Sequence, residues 1–310
     1  MIKEIAYQNK EEWLSLRKGY IGGSDAGAVV GLNPYKSAYT LWAEKTGKVP
    51  EFQGNITTRV GSYLEDLVAV MFTDETGKKV RRKNRILIND EYPFACADVD
   101  RLIVGEDALL EIKTTNSPVA MKKFKKGEYP EQWYAQMCHY LAVTGLKKAY
   151  LAVLIECRDF KIFELERDEE EIKALMSAEK DFWELVEKDS TPPVDSLKST
   201  SDTLVALYPT SSADNVNLYS YDAELEQYIA ISAQIKALEA TKDEIANKVK
   251  AFLGEAGKGE NDHYRVSWAS SERKTLDTKK LAQENPEIDM NAYYKTTTYR
   301  TFKVTEKEGK

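Results

Sequence analysis

Histidine and cysteine are scarce in this chain, with two and three residues among 310. His139 and His263 sit in no recognisable triad setting, so a hydroxyl nucleophile of the Ser/His/Asp kind is not supported. Cys96, Cys138 and Cys157 are scattered and too few for a four-cysteine iron–sulfur cluster. They fit a reducing compartment rather than a disulfide framework. No 18-residue apolar run occurs, which excludes a helical membrane span. The start Met1-Ile2-Lys3-Glu4 lacks the apolar core of a signal peptide, so a cytoplasmic location is expected. A positive charge excess is missing as well. Lys and Arg number 44 against 51 Asp and Glu, a formal net charge of −7. Proteins that grip nucleic acid by their outer surface usually carry a basic patch. Two local clusters qualify here: Lys78-Lys79-Val80-Arg81-Arg82-Lys83-Asn84-Arg85 and Lys122-Lys123-Phe124-Lys125-Lys126. Both flank the segment richest in chemistry.

That segment is Ala97-Asp98-Val99-Asp100-Arg101-Leu102-Ile103, followed after Gly105-Glu106 by Leu109-Leu110-Glu111-Ile112-Lys113-Thr114. Apolar and β-branched residues predict two strands joined by a hairpin. Period-two alternation puts Asp100, Leu102 and Val104 on one face, and Leu109, Glu111 and Lys113 on one face of the second strand. A two-residue turn at Gly105-Glu106 would set Asp100 opposite Glu111; a three-residue loop would shift the register by one. Like charges on an apolar sheet need a counter-charge, and hard oxygen ligands favour magnesium or manganese over zinc. Taken alone, so short a pattern also arises as a hairpin with a surface ion pair.

Three neighbouring features bear on the choice. Arg17 precedes Gly19-Tyr20-Ile21-Gly22-Gly23-Ser24-Asp25, where Ser24 is expected to N-cap a helix over 24–30. Free amides beside an arginine suit a phosphate. Glu65 lies on a helix expected from about 57 to 76, at the edge of a stripe of Val60, Leu64, Leu67, Val68, Met71 and Phe72. It is either half-buried and structural or a third acid aimed at the metal site, whereas Asp66 points away. The helix from Pro130 to Thr144, closed by Gly145, carries Gln136 and Tyr140 four apart on one face. His139, next to Tyr140, is expected to serve in packing or in supporting the site residues from behind.

In this order Arg17/Ser24, Glu65, Asp100, Glu111/Lys113 and Gln136/Tyr140 resemble the YqaJ-type viral recombinase family, alkaline exonucleases of phage recombination systems similar to lambda exonuclease. The phrases Gly22-Gly23-Ser24-Asp25, Gly31-Leu32-Asn33-Pro34-Tyr35, Ala43-Glu44-Lys45-Thr46-Gly47 and Glu111-Ile112-Lys113-Thr114-Thr115 carry the resemblance over roughly residues 10–190.

The resemblance implies an α/β fold with a PD-(D/E)xK nuclease core, a central mixed sheet flanked by helices. It implies Asp100, Glu111 and the Ile112 carbonyl as metal ligands, for two Mg2+ ions that Mn2+ could replace. Lys113 would orient or activate the attacking water, Glu65 would add a carboxylate, and Gln136 would position the nucleophile or scissile phosphate. Arg17 and Ser24 would hold a terminal 5′-phosphate, with Tyr140 beside them. The activity implied is 5′→3′ exonuclease digestion of linear duplex DNA, leaving 3′ overhangs for annealing-based recombination. The implied partners are DNA ends bearing 5′-phosphate, two further copies in a ring-shaped trimer, and a phage single-strand annealing protein. An acidic exterior is compatible with DNA in a basic interior channel. One departure stands out: where relatives often place Asn-Pro or Ser-Pro before the catalytic aspartate, this chain has Asp98-Val99. Asp98 is then a second acid or an accidental neighbour. Two alternatives share the residues: an endonuclease or structure-specific nuclease, and a non-catalytic DNA-end-binding scaffold.

Along the chain, residues 1–195 read as the nuclease domain, with early helices near 10–18, 24–30 and 37–46. A strand is expected from Val80 to Ile88, then the hairpin, then strands Ala149–Glu156 and Phe160–Glu166. An acid-rich start at Asp168 opens a helix that Thr191-Pro192-Pro193 ends. Residues 196–217, rich in Ser, Thr and Asp, read as a linker. Residues 218–310 form a C-terminal appendage: a long helix from about Ala223 to Leu253, then a small β-module with strands at 263–268 and 299–304. In that helix Ile231, Ile235, Leu238, Ile245, Val249 and Phe252 keep coiled-coil spacing, interrupted at Lys242. The mixed aromatics and cations of the module would suit stacking on nucleic acid, oligomer contacts or partner docking.

Overall fold

The computed structural model describes residues 1–297 and 299–307. The chain divides into two compact units, Met1–Tyr208 and Pro209–Lys310. In the first, the elements run β1 (Ile2–Ala6), α1 (Lys10–Lys18), β2 (Ile21–Gly22), α2 (Gly23–Val29), α3 (Ala38–Lys45), α4 (Ile56–Thr76), β3 (Val80–Arg81), β4 (Arg85–Asn89), β5 (Ala95–Ala97), β6 (Arg101–Ile103) and β7 (Ala108–Thr115). There follow α5 (Pro118–Phe124), α6 (Glu131–Thr144), β8 (Lys148–Ile155), β9 (Asp159–Glu166), α7 (Glu169–Glu187) and α8 (Lys198–Leu207).

A five-stranded mixed sheet, ordered β3-β6-β7-β8-β9, forms the centre, with β7 and β8 parallel and the other pairs antiparallel. Both faces of β7 and β8 are covered, which is why each reads as a nearly unbroken apolar run. On one face Leu109, Leu151 and Val153 pack with Met137 and Leu141 of α6 and with Ile172 and Met176 of α7. On the other, Leu110, Ile112 and Tyr150 pack with Val68 and Phe72 of α4. A second, four-stranded sheet is ordered β1-β4-β5-β2.

Two expected strands are each divided between the sheets. Instead of one strand from Val80 to Ile88, β3 joins the central sheet and β4 joins the second. Likewise the stretch from Ala97 to Ile103 breaks at Asp98–Asp100, leaving β5 in one sheet and β6 in the other. Alternation sees only local period, whereas a change of sheet is set by which partner strand lies alongside. The stripe expected on α4 is narrower than foreseen. Val68, Ala69 and Phe72 are buried, but Val60, near the start of the helix, and Leu67, turned away from the face that carries Leu64, Val68 and Phe72, are exposed.

The expected linker is also revised. Within it α8 docks on α3 through Thr203 Oγ1 and Thr40 Oγ1, 2.9 Å apart, and through Ser199 Oγ, which accepts from the Ser37 amide at 3.1 Å. Thr200 and Thr203 are buried by this contact, so a polar composition here marks a helix with a hydroxyl-bonded face. The second unit holds α9 (Asp222–Leu253), ended at Gly254 in the left-handed region, then the hairpin β10 (Lys258–Glu260) and β11 (Arg265–Ser267), then α10 (Thr278–Glu284). Residues 299–304, expected as a strand, form none, since alternation without a partner leaves the backbone amides no ladder to join. Among the described residues no helix is long and apolar enough to cross a membrane.

Candidate active site

Arg101 pairs with Leu110 and Leu102 with Leu109 across β6 and β7. Extended by one residue, this register sets Asp100 against Glu111, as a two-residue turn would. The contact is direct: the Ile112 amide donates to Asp100 Oδ2 at 2.7 Å. Glu111 and Lys113 share the face of β7 that α6 covers, and Lys113 Nζ lies 2.6 Å from Glu111 Oε1. From α6, the Gln136 amide donates to the same oxygen at 2.7 Å and to Tyr140 Oη at 3.1 Å, as the four-residue spacing permits. Glu111 Oε2 is buried with no hydrogen-bond partner.

Burial, and then the Glu111 charge, push the Asp100 carboxyl well above its ordinary value, and burial raises Glu111 too. Burial alone would lower Lys113, but the Glu111 and Asp100 carboxylates hold it above its ordinary value. Beside bound cations the same ammonium would be lowered instead. The ammonium here is the counter-charge that two buried acids require.

The opposite wall comes from α1 and α2. Arg17 Nη2 donates to Ser24 Oγ at 2.9 Å, and its guanidinium lies 4.7 Å from the Trp13 ring centre. Ser24 does not cap the helix. Gly22 is the N-cap residue and Asp25 closes the turn, its Oδ2 accepting from the Gly22 amide at 3.2 Å. Burial would raise Asp25, but Lys45, 3.0 Å away, and Arg17 hold its carboxyl below the carboxylate range. Ser24 is thereby left exposed beside Arg17.

Close packing fixes two glycines at this wall. A Cβ on Gly22 would come within 2.9 Å of Arg17 Nη2, and one on Gly23 within 2.4 Å of the Tyr140 ring. Gly23→Ala is therefore expected to displace the tyrosine ring and the Gln136–Tyr140 contact, costing about 1–3 kcal/mol as overpacking does. Chemical denaturation checks this, and an unchanged midpoint would mean that α2 shifts freely.

Glu65 is placed otherwise than as an acid turned to the pair. It forms an ion pair with Arg101 Nη1, while Arg101 Nη2 lies 2.6 Å from Asp66 Oδ1. Arg101 alternates with Asp100 and so faces α4, and its buried guanidinium draws both acids of that helix. Asp66, expected to point away, thus shares the arginine with Glu65 and also meets Arg82 at 2.5 Å. The Glu65 charge still lies near enough to raise Asp100 and Glu111. Asp98 accepts from Trp13 Nε1 at 2.6 Å and Tyr7 Oη at 3.4 Å, and burial raises its carboxyl. Sequence reasoning missed Trp13, Tyr7 and Arg101 here; only Arg101, beside Asp100 in sequence, carried a local signal.

The basic clusters are less free than their composition suggests. Lys78 pairs with Glu106, Arg82 with Asp66, and Lys83 and Arg85 with Glu4; Lys123 pairs with Glu131. His139, with no exposed surface, is held by Glu179 at 2.8 Å on Nδ1 and donates from Nε2 to the Cys96 carbonyl at 2.9 Å.

Asp100, Glu111, Lys113, Gln136, Tyr140, Arg17 and Ser24 line one cavity of about 220 Å³. Ser24, Lys113 and Gln136 also line a wider cleft of about 750 Å³, giving a substrate a way in. Among the described residues no group of three or more His, Cys, Asp and Glu side chains is gathered to hold a metal ion. The donor set nevertheless suits a hard divalent cation: two facing carboxylates with raised pKa values, one orphaned carboxylate oxygen, and backbone at Ile112 fixed against Asp100.

A model of the YqaJ-like viral recombinase domain matches residues 12–147 of this chain. The uncharacterized protein YqaJ of Bacillus subtilis (strain 168) is 38% identical over 304 residues, covering 96% of this chain and 95% of that protein. Among solved structures, the alkaline exonuclease LHK-Exo from Laribacter hongkongensis superposes with a TM-score of 0.51 at 20% identity, covering 64% of this chain and all of that one. The same exonuclease in complex with dAMP gives 0.52 at 22% identity, covering 58% and 94%. Those two likenesses show a shared fold. The near full-length identity to YqaJ shows more: this chain belongs to the YqaJ-like viral recombinase family.

Proposed function

We propose that this protein is a metal-dependent exonuclease that digests one strand of linear duplex DNA from a 5′-phosphorylated end. The observation that carries this reading is the orphaned Glu111 Oε2, buried opposite Asp100 and beside Lys113, in a cavity that also holds Arg17 and Ser24. A carboxylate oxygen without a donor costs stability unless a ligand takes it.

In this reading Asp100, Glu111 and the Ile112 carbonyl hold two Mg2+ ions, for which Mn2+ would substitute. Bound there, such ions would supply Lewis acidity at the scissile phosphate and lower the pKa of water at neutral pH. Lys113, fixed by Glu111, would orient the attacking water, and would exchange a proton with it only once bound cations offset the carboxylates that keep the ammonium charged. Gln136, anchored to Glu111 and Tyr140, turns its amide toward the nucleophile or scissile phosphate. Arg17 and Ser24 offer two donors for a terminal phosphate, with the arginine braced on Trp13. The acidic exterior is reconciled with DNA if copies assemble as a ring around the duplex. The 3′ overhang produced would pass to a single-strand annealing protein.

Digestion of linear duplex DNA with and without 5′-phosphate, in Mg2+ against EDTA, beside a closed circle, tests the reading. Mg2+-dependent loss of only linear DNA, faster with 5′-phosphate, is expected. Arg17→Ala should slow digestion of phosphorylated ends and spare unphosphorylated ones. Cutting of the circle would instead mark an endonuclease. Binding without any cleavage would mark a scaffold.

A further inference from the structure

Among the described residues α9 is the longest helix. It runs 32 residues, about 48 Å, and none of them is buried. Leu225, Ile229 and Leu253 are half-buried, and the other large apolar side chains form one seam. Tyr228, Ile235 and Val249 fall at one heptad position, and Ile231, Leu238, Ile245 and Phe252 at the other, with Lys242 as the single polar member of the seam. Leu238 is 70% exposed and Phe252 91%. Among the described residues the one tertiary ring contact on this seam is that of Phe302, edge-on to Tyr228 at 5.7 Å, and Tyr228 remains exposed.

We propose that α9 pairs with α9 of a second copy of this chain as an antiparallel two-stranded coiled coil. The seam is self-complementary about Ala240. In that register Tyr228 meets Phe252 of the second copy, Ile231 meets Val249, Ile235 meets Ile245, and Leu238 meets Lys242. Every seam position from 228 to 252 finds a counterpart of the opposite heptad type.

Charge selects the orientation. A parallel in-register pair would set Lys242 against its own copy in a core layer, which is destabilising. The antiparallel pair sets it against Leu238, one residue from Glu239 of the other helix. Two lysines and two glutamates then surround the dyad with no net charge. Size agrees as well. At on the order of 100 Å² per large apolar side chain, the two seams together bury about 1,400 Å², within the roughly 1,200–2,000 Å² of a stable interface.

The test uses the full chain, and its first readout is the molar mass in solution. Leu238→Glu with Ile245→Glu replaces two exposed residues, so the unit is expected to fold unchanged by circular dichroism while the mass falls twofold. The second readout fixes orientation in a Cys157→Ser background. Glu239→Cys, beside the dyad, is expected to form an interchain disulfide, and Ile231→Cys is not. An unchanged mass in the double variant, or a monomeric unaltered chain, would overturn the pairing and leave the seam to another segment or another protein. Crosslinking at Ile231 and not at Glu239 would overturn the antiparallel arrangement.

Discussion

Asp100→Asn is expected to lower the rate of DNA digestion by roughly 10³-fold or more, the scale of losing several kcal/mol of charge stabilisation at the phosphorus. The substitution is nearly isosteric, and its carbonyl oxygen can still accept from the Ile112 amide, so β6 and β7 keep their contact. Stability should move in the opposite direction from activity. Burial and the facing Glu111 raise the Asp100 carboxyl well above its ordinary value. A carboxyl raised on folding is easier to ionise in the unfolded chain. The unfolded state therefore holds fewer protons above about pH 4, and stability falls as the pH rises toward the folded value. Removing that acid at neutral pH relieves the cost, so the variant should melt no lower than the unaltered protein.

The same charges explain what a divalent cation would do. Ligand that binds only the folded state adds stability by mass action. Mg2+ should therefore raise the melting temperature of the unaltered chain at neutral pH, and EDTA should cancel the gain. Asp100→Asn should lose most of it. Full nuclease activity in this variant would sink the assignment of Asp100 to the metal. A melting temperature that rises equally with Mg2+ in both proteins would place the ion elsewhere.

The second large effect lies behind the site. His139 donates from Nε2 to the Cys96 carbonyl, which can only accept, so its other nitrogen faces Glu179. Burial alone would lower the imidazole, but the Glu179 carboxylate holds it above its ordinary value, so the imidazolium–carboxylate pair is favoured at lower pH. It ties α6, which carries Gln136 and Tyr140, to α7 and to β5. Removing one partner strands a buried charge, so His139→Ala should cost about 3–5 kcal/mol. At about 2–4 °C per kcal/mol for a domain of this size, the melting temperature should fall on the order of 10 °C.

The pH dependence follows from the direction of the shift. An imidazole raised on folding contributes stability that is fully present below its unfolded value near 6.5 and is lost as the pH rises through the higher folded value. Urea midpoints measured from pH 6 upward should decline in the unaltered protein. They should be flatter in the double variant His139→Leu with Glu179→Leu, which replaces the pair by apolar side chains and should regain much of the stability. A single variant as stable as the unaltered chain would show that the pair contributes nothing to the fold.

Much of the candidate site could be read from the sequence because its geometry is local. Glu111 and Lys113 share a strand face by period two, Gln136 and Tyr140 share a helix face by period 3.6, and Gly145 and Gly254 end their helices as glycine's freedom at positive φ allows. The register that sets Asp100 against Glu111 also follows from one short turn. These features depend on neighbours a few residues away.

What the sequence left open depends on residues far apart in the chain. Glu65 could be an acid for the site or a structural residue, and the partner that holds it, Arg101, lies 36 positions away. Asp98 reads as a second acid or a bystander; it lines the same cavity as Asp100 and Glu111, and its hydrogen bonds come from Trp13 and Tyr7 at the start of the chain. Alternation over Val80–Ile88 and Ala97–Ile103 identified extended backbone but not the exchange of sheets, since strand partners are chosen by packing across the whole domain. Polar sequence at 198–207 resembled linker because its hydroxyls find their partners only on α3. Local periodicity thus determined most of the elements and most side chains of the candidate site. Tertiary structure alone decided which buried charge neutralises which, because that choice rests on distances between segments that no local pattern records.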